Sequence, residues 1–218
     1  MPTKTWKLSC SSTLFNSLKQ DDKFKSILNL ARICNSLVFC NTCILKFKNK
    51  YNPSGYRQVI NSFLFASAVL YEGFIVADNL GKYFNTHKAF RKGFAILLKN
   101  KKLKQFRQNI LCKMRDKFVF HFDESVVAES LKKYTSPSYT FMVGRGSKNS
   151  EIYYILADEI SLNYILKDIS SSSQKKELEK ILKTTVDLIV KFTDAANQLI
   201  CEVLLEMGWL FKEESNGT

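Results

Sequence analysis

Proline stands at only three positions, 2, 53 and 137, and glycine at eight of 218. A chain with so little punctuation has few tight turns, so long helices are favoured over many short strands. Residues 22–48 read as one helix, with Phe24, Leu28, Ala31 and Val38 at helical spacing and Asp21 or Asp22 as its cap. Asn35 lies seven residues after Leu28 and shares its face, so it is expected to be a buried amide in need of partners. Asn-Pro-Ser-Gly at 52–55 breaks the chain. Residues 55–84 then form a second helix, apolar nearly all round and therefore central. Its greasiest run, 63–77, is too short to span a bilayer, and Glu72 interrupts it. It reads as a core helix whose carboxylate has to be paired with a cation or protonated.

Further helices are expected at 87–99, capped by Thr86, at 101–117, at 124–134, capped by Asp123, and at 151–168. A long final helix covers 174–210, with Leu178, Leu182, Val186, Ile189 and Phe192 on one stripe. Residues 135–150 are the long loop. No strand hairpin, internal repeat or inter-domain linker is signalled. The expected fold is all-α: one domain over 1–218, a helical bundle of about six or seven helices closed by the long C-terminal one.

Charge narrows the partners. The chain holds 33 Lys and Arg against 20 Asp and Glu, net +13. Residues 151–218 hold 12 acids and 7 bases, so 1–150 hold 26 bases and 8 acids. Within 91–117, ten bases face one acid, Asp116. Such a field attracts polyanions, and Lys99, Lys101, Lys102, Lys104, Arg107 and Lys113 are the candidate nucleic-acid contacts. A solvated lysine face is the alternative. The six cysteines (10, 34, 40, 43, 112 and 201) sit in apolar patterns. Cys40 and Cys43 form a CxxC with no second pair, which points to packed thiols and not to zinc. Packed thiols of this kind lead to the expectation of a reducing, cytoplasmic setting; no secretory leader is read at the start. No metal and no cofactor are expected.

The basic run leads into Arg-Asp-Lys-Phe-Val-Phe-His-Phe-Asp, 115–123. On one ideal helix, Arg115 and His121 would lie roughly 120° and about 9 Å apart, so reaching one phosphate requires a break between them. Phe118 to Phe122 have low helix propensity, and Asp123 starts a new helix, so a break near 118–122 is expected. A guanidinium can stabilise charge on phosphoryl oxygens, and an imidazole can move a proton near neutral pH. The two suffice for attack of a ribose 2′-hydroxyl on its own phosphate without a metal. A packed core histidine and a salt-bridged arginine would share this spacing.

Arg115, Asp116 and His121 fill the places of the HEPN-superfamily signature: arginine, a polar residue, three to five residues, histidine. The segment also resembles an RDKxxFHFD form found in a group of uncharacterised bacterial proteins. Arg32 and Asn35 in "NLARICNSL", Arg57 and Glu72 in 57–73, and "YYILADEI" at 153–160 fit that group too. The resemblance implies an all-α bundle that dimerises with the motif near the interface. It further implies, in many members, metal-independent RNA cleavage, often as a toxin or defence effector. By this resemblance Arg115 stabilises the phosphate, His121 acts as acid or base and Asp116 orients the site. Glu72, Asn35 and Arg32 are candidate supporting residues; Glu72–Arg32 is the structural pairing they could make instead. A non-catalytic nucleic-acid or nucleotide-binding module, and a structural dimer using the long last helix, are the other readings.

Overall fold

The computed structural model describes residues 6–47, 53–119, 124–133, 143–144, 153–154, 164 and 171–213. The fold is all-α, dominated by three long helices: α2 (Asp22–Phe47), α3 (Pro53–Phe84) and α9 (Ser171–Glu206). A short strand β1 (Trp6–Ser9) and helix α1 (Ser12–Leu18) precede them. Between α3 and α9 lie α4 (Lys88–Lys92), α5 (Phe94–Lys99), α6 (Lys101–Phe106), a π-helical turn π1 (Arg107–Leu111), α7 (Cys112–Met114), a second π turn π2 (Arg115–Val119) and α8 (Glu124–Lys133). Strands β2 (Val143–Gly144) and β3 (Tyr153–Tyr154) follow α8, and β4 (Leu210–Glu213) follows α9.

Local signals fix the helix starts. Asp21 Oδ1 accepts the Phe24 N–H at 2.7 Å, capping α2. Pro53 opens α3, where its fixed φ suits the first helical position and its missing N–H costs nothing, so Asn-Pro-Ser-Gly starts a helix instead of only ending one. Thr86 is not the cap of the next helix. His87 is: its Nδ1 accepts the Ala89 N–H at 3.2 Å. The expected helix 87–99 is two pieces that turn at Gly93, whose added Cβ would lie 2.7 Å from Ala195 Cβ.

Of the four positions that spacing put on the inner face of α2, Phe24 is buried and Ala31 half-buried, but Leu28 and Val38 are not. Phe24, Ile27, Leu30, Leu37, Cys40 and Ile44 are buried, whereas Leu28 and Val38 are 46% and 53% exposed. Asn35 shares a face with Leu28, as expected, but that face looks outward. Apolar residues occur on both sides of α2, and packing against α3 selects the inner one.

Helix α3 is central. Leu70, Phe74, Ala77 and Leu80 are buried against α2, α5 and α9, and Phe63 is buried in a second cluster with Ile44, Met114 and Ile181. Phe192 of α9 fits edge-on between Phe74 and Phe94, with ring centroids at 5.4 and 5.1 Å. That approach depends on Gly73, where a Cβ would lie 2.8 Å from Phe192 Cζ and 3.1 Å from Ile33 Cγ2. On α9, Ile189 and Phe192 are buried as their stripe suggested, while Leu178, Leu182 and Val186 are half-buried at its edge. By length and composition, Asp22–Lys46 and Arg57–Phe84 are long and apolar enough to cross a membrane.

Two strand pairings correct the strand-free reading. β1 pairs antiparallel with β4, Trp6 opposite Glu213 and Ser9 opposite Leu210. β2 pairs with β3, Val143 opposite Tyr154, so the expected helix 151–168 does not hold at 153–154. Tyr164 is helical and buried, in keeping with that helix; most of the expected loop 135–150, the Asp123 cap and the other residues of 151–168 lie outside the described residues.

Candidate functional site

Arg115 sits where a helix departs from regular winding. From Lys101 to Val119 the chain keeps turning, but π1 and π2 flank one short α turn. The Cys112 N–H donates to the Arg107 carbonyl, five residues back, which is the i→i−5 spacing of a π turn. Such wide turns are marginal on their own and persist where tertiary contacts hold them. Here the first residue of each π turn is an arginine that reaches a carboxylate on α3. Arg107 Nη2 donates to Asp78 Oδ2 at 2.8 Å, and Arg115 Nε donates to Glu72 Oε1 at 2.8 Å. The two segments run antiparallel: 107 meets 78 and 115 meets 72. Leu111 and Met114 are buried between these anchors.

Around Arg115 the contacts form a chain. Its Nη1 donates to Asp116 Oδ1 at 2.7 Å. The Cys112 thiol donates to Asp116 Oδ2 at 3.2 Å, and the Tyr71 hydroxyl lies near enough to Cys112 for each to shift the other's titration. The Asp116 hydrogen bond raises the Arg115 pKa, opposed by partial burial and reinforced by Glu72, so the guanidinium stays charged. Burial pushes the Cys112 thiol up; Tyr71 pulls it back in part and Asp116 pushes it further. Cys112 is in turn the largest cause raising the Tyr71 hydroxyl. In these two ion pairs one cation meets two carboxylates. The Arg115, Glu72 and Asp116 side chains are 34%, 36% and 39% exposed, so solvent reaches all three.

The expected site is assembled in part. Arg115, Asp116 and Glu72 come together, and Glu72 pairs with Arg115, not with Arg32. His121 lies outside the described residues, as do 120, 122 and 123; the described helix runs without a break to Val119. Arg32 is exposed on α2, and Asn35 lines a different cleft of about 420 Å³ between α2 and α9, with Cys34, Thr193, Asp194 and Asn197. Neither supports Arg115. Lys99, Lys101, Lys102, Lys104 and Lys113 are exposed, as nucleic-acid contacts require. Arg107 is committed elsewhere: besides Asp78, its guanidinium lies 4.4 Å from the Phe74 ring centroid. Sequence reasoning missed Tyr71 and Cys112. Cys112 is four residues before Asp116, a spacing that gives side-chain contact on any helix, and that was the available signal.

Among the described residues no three His, Cys, Asp or Glu side chains group to hold a metal ion. Comparison with known proteins finds no family model that matches the chain, and no curated protein or solved structure similar to it.

Proposed function

We propose that the protein is an RNA-binding, metal-independent endoribonuclease of HEPN type, with Arg115 stabilising the scissile phosphate and His121 moving the proton. The observation that carries this reading is the placement of Arg115. It is fixed by two carboxylates on a π turn, partly open to solvent, at the end of a stretch, 79–115, that holds eleven Lys and Arg and no acid. Arginine held by its neighbours loses little freedom on meeting a phosphate, and a basic approach raises local polyanion concentration. In this mechanism imidazole takes the 2′-hydroxyl proton or protonates the leaving 5′-oxygen, while the guanidinium meets charge building on the phosphoryl oxygens. Asp116 orients Arg115, and the Cys112 thiol holds Asp116.

Leu28, Val38, Phe39 and Leu45 are exposed apolar residues on α2 and favour a second copy as partner, which would bring two motifs near one axis. One observation favours the second reading, a non-catalytic nucleic-acid binder: Arg115 already faces two carboxylates, and a phosphate has to compete with them. Incubation of single-stranded RNA with the purified chain in EDTA separates the two. Products ending in 2′,3′-cyclic phosphate are expected. Intact RNA that is nevertheless bound supports the binder.

A further inference from the structure

A concave site that shares no lining residue with the Arg115 cluster lies along α4. Thr86, Lys88, Arg91, Lys92 and Ile96 line a cleft of about 430 Å³. Its three cations occupy positions i, i+3 and i+4 of one short helix, so their side chains share a face. Like charges at that spacing repel one another, and α4 has no acid in its first turn. Among the described residues, none of the three makes a side-chain ion pair or hydrogen bond. The carboxylate beside this helix, Glu206, is engaged at 3.0 Å by His87 Nε2. His87 Nδ1 accepts the Ala89 N–H, so the ring proton lies on Nε2, which donates to Glu206. The helix beneath the cleft is packed into the core: Ala89, Phe90 and Phe94 are buried, and Gly93 lies against Ala195 of α9. The cations project from this packed helix, with Ile96, 62% exposed, as an apolar wall beside them.

We propose that this cleft binds a phosphate monoester: the 5′-phosphate end of an RNA or the phosphate of a free nucleotide. Charge density argues for the monoester. A diester carries one negative charge and is served by an open track such as Lys99, Lys101, Lys102 and Lys104. A monoester carries about −1.5 to −2 at neutral pH and exposes three acceptor oxygens. Three clustered donors, one of them a forked guanidinium, match that group in charge and geometry. The Thr86 hydroxyl adds a neutral donor at the rim, and Ile96 offers a surface for the sugar or base. This site does not depend on cleavage by Arg115.

The test uses the full chain and one oligonucleotide sequence in 2′-O-methyl RNA, which cannot be cut by 2′-hydroxyl attack, carrying either a 5′-phosphate or a 5′-hydroxyl. Adenosine monophosphate against adenosine supplies the free-nucleotide arm. The phosphorylated RNA is expected to bind about tenfold more tightly, equivalent to about 1.4 kcal/mol. Arg91→Gln/Lys92→Gln is expected to erase that difference. Lys101→Gln/Lys102→Gln removes the same charge elsewhere; it is expected to weaken both RNAs together and leave the difference intact. Preference for adenosine monophosphate over adenosine, without one between the RNAs, assigns the site to free nucleotides. No preference in either arm overturns the proposal, and so does a preference that survives Arg91→Gln/Lys92→Gln in a variant of unchanged melting temperature.

Discussion

Glu72 shows how a single buried-looking carboxylate sets the chemistry around it. In an apolar helix it needed a cation, and it takes Arg115 at 2.8 Å. Both side chains remain about one-third exposed, so the pair belongs with solvent-screened bridges worth roughly 0.2–1 kcal/mol. Glu72→Gln is therefore expected to cost about 1 kcal/mol or less in urea unfolding and to tighten RNA binding, because one negative charge leaves the site. A loss above about 3 kcal/mol would mean a fully desolvated pair. The thiols of α2 act in the opposite sense. Burial pushes Cys34 and Cys40 from the usual 9.0 to about 11, with Cys43 adding to the rise at Cys40. The unfolded chain releases these protons near pH 9 and the folded chain near 11. Their contribution to stability is complete below pH 9 and is lost as pH rises through 11. The melting temperature of Cys34→Ala/Cys40→Ala is expected to fall less steeply across that interval than that of the parent. Equal slopes would show that these thiols do not report burial.

At the scale of elements, what was legible was local. Asp21 caps α2 as its position suggested, and α3 and α9 lie where their apolar runs put them. The inner face of α2 was misread because Leu28 and Val38 keep the same periodicity as the buried set, and only the docking of α3 distinguishes them. The β1–β4 pairing joins residues near 6–9 to residues near 210–213, and no local pattern encodes a contact so distant in sequence. β2 and β3 are two residues each, too short for alternation to register. Asp116, Arg115 and Glu72 were legible as chemistry, but their meeting depends on two π turns that propensity does not signal. Gly73 offers a direct check on the packing. Alanine there gains up to about 1 kcal/mol in helix propensity. Its Cβ, however, meets the Phe192 ring, which Phe74 and Phe94 hold from either side. Overpacking costs roughly 1–3 kcal/mol, so Gly73→Ala is expected to lower stability by about 1–2 kcal/mol net. A stabilised variant would show that Phe192 moves aside freely.

Across the whole molecule, charge and packing divide by face. α3 and α9 make the core with the inner face of α2 and with Ala89, Phe90, Phe94, Leu97, Leu111 and Met114 of the basic segment, whose outward positions carry exposed cations on the approach to Arg115. The reading as a ribonuclease rests on His121 completing what Arg115 begins. The direct measurement is RNA cleavage in EDTA by the parent and by His121→Ala, with RNA affinity and melting temperature taken on the same samples. The parent is expected to cut and to leave 2′,3′-cyclic phosphate ends. His121→Ala is expected to bind RNA as tightly, melt at the same temperature and not cut. A parent that leaves RNA intact, together with a marked fall in melting temperature for His121→Ala, would contradict the account and make His121 a packing residue.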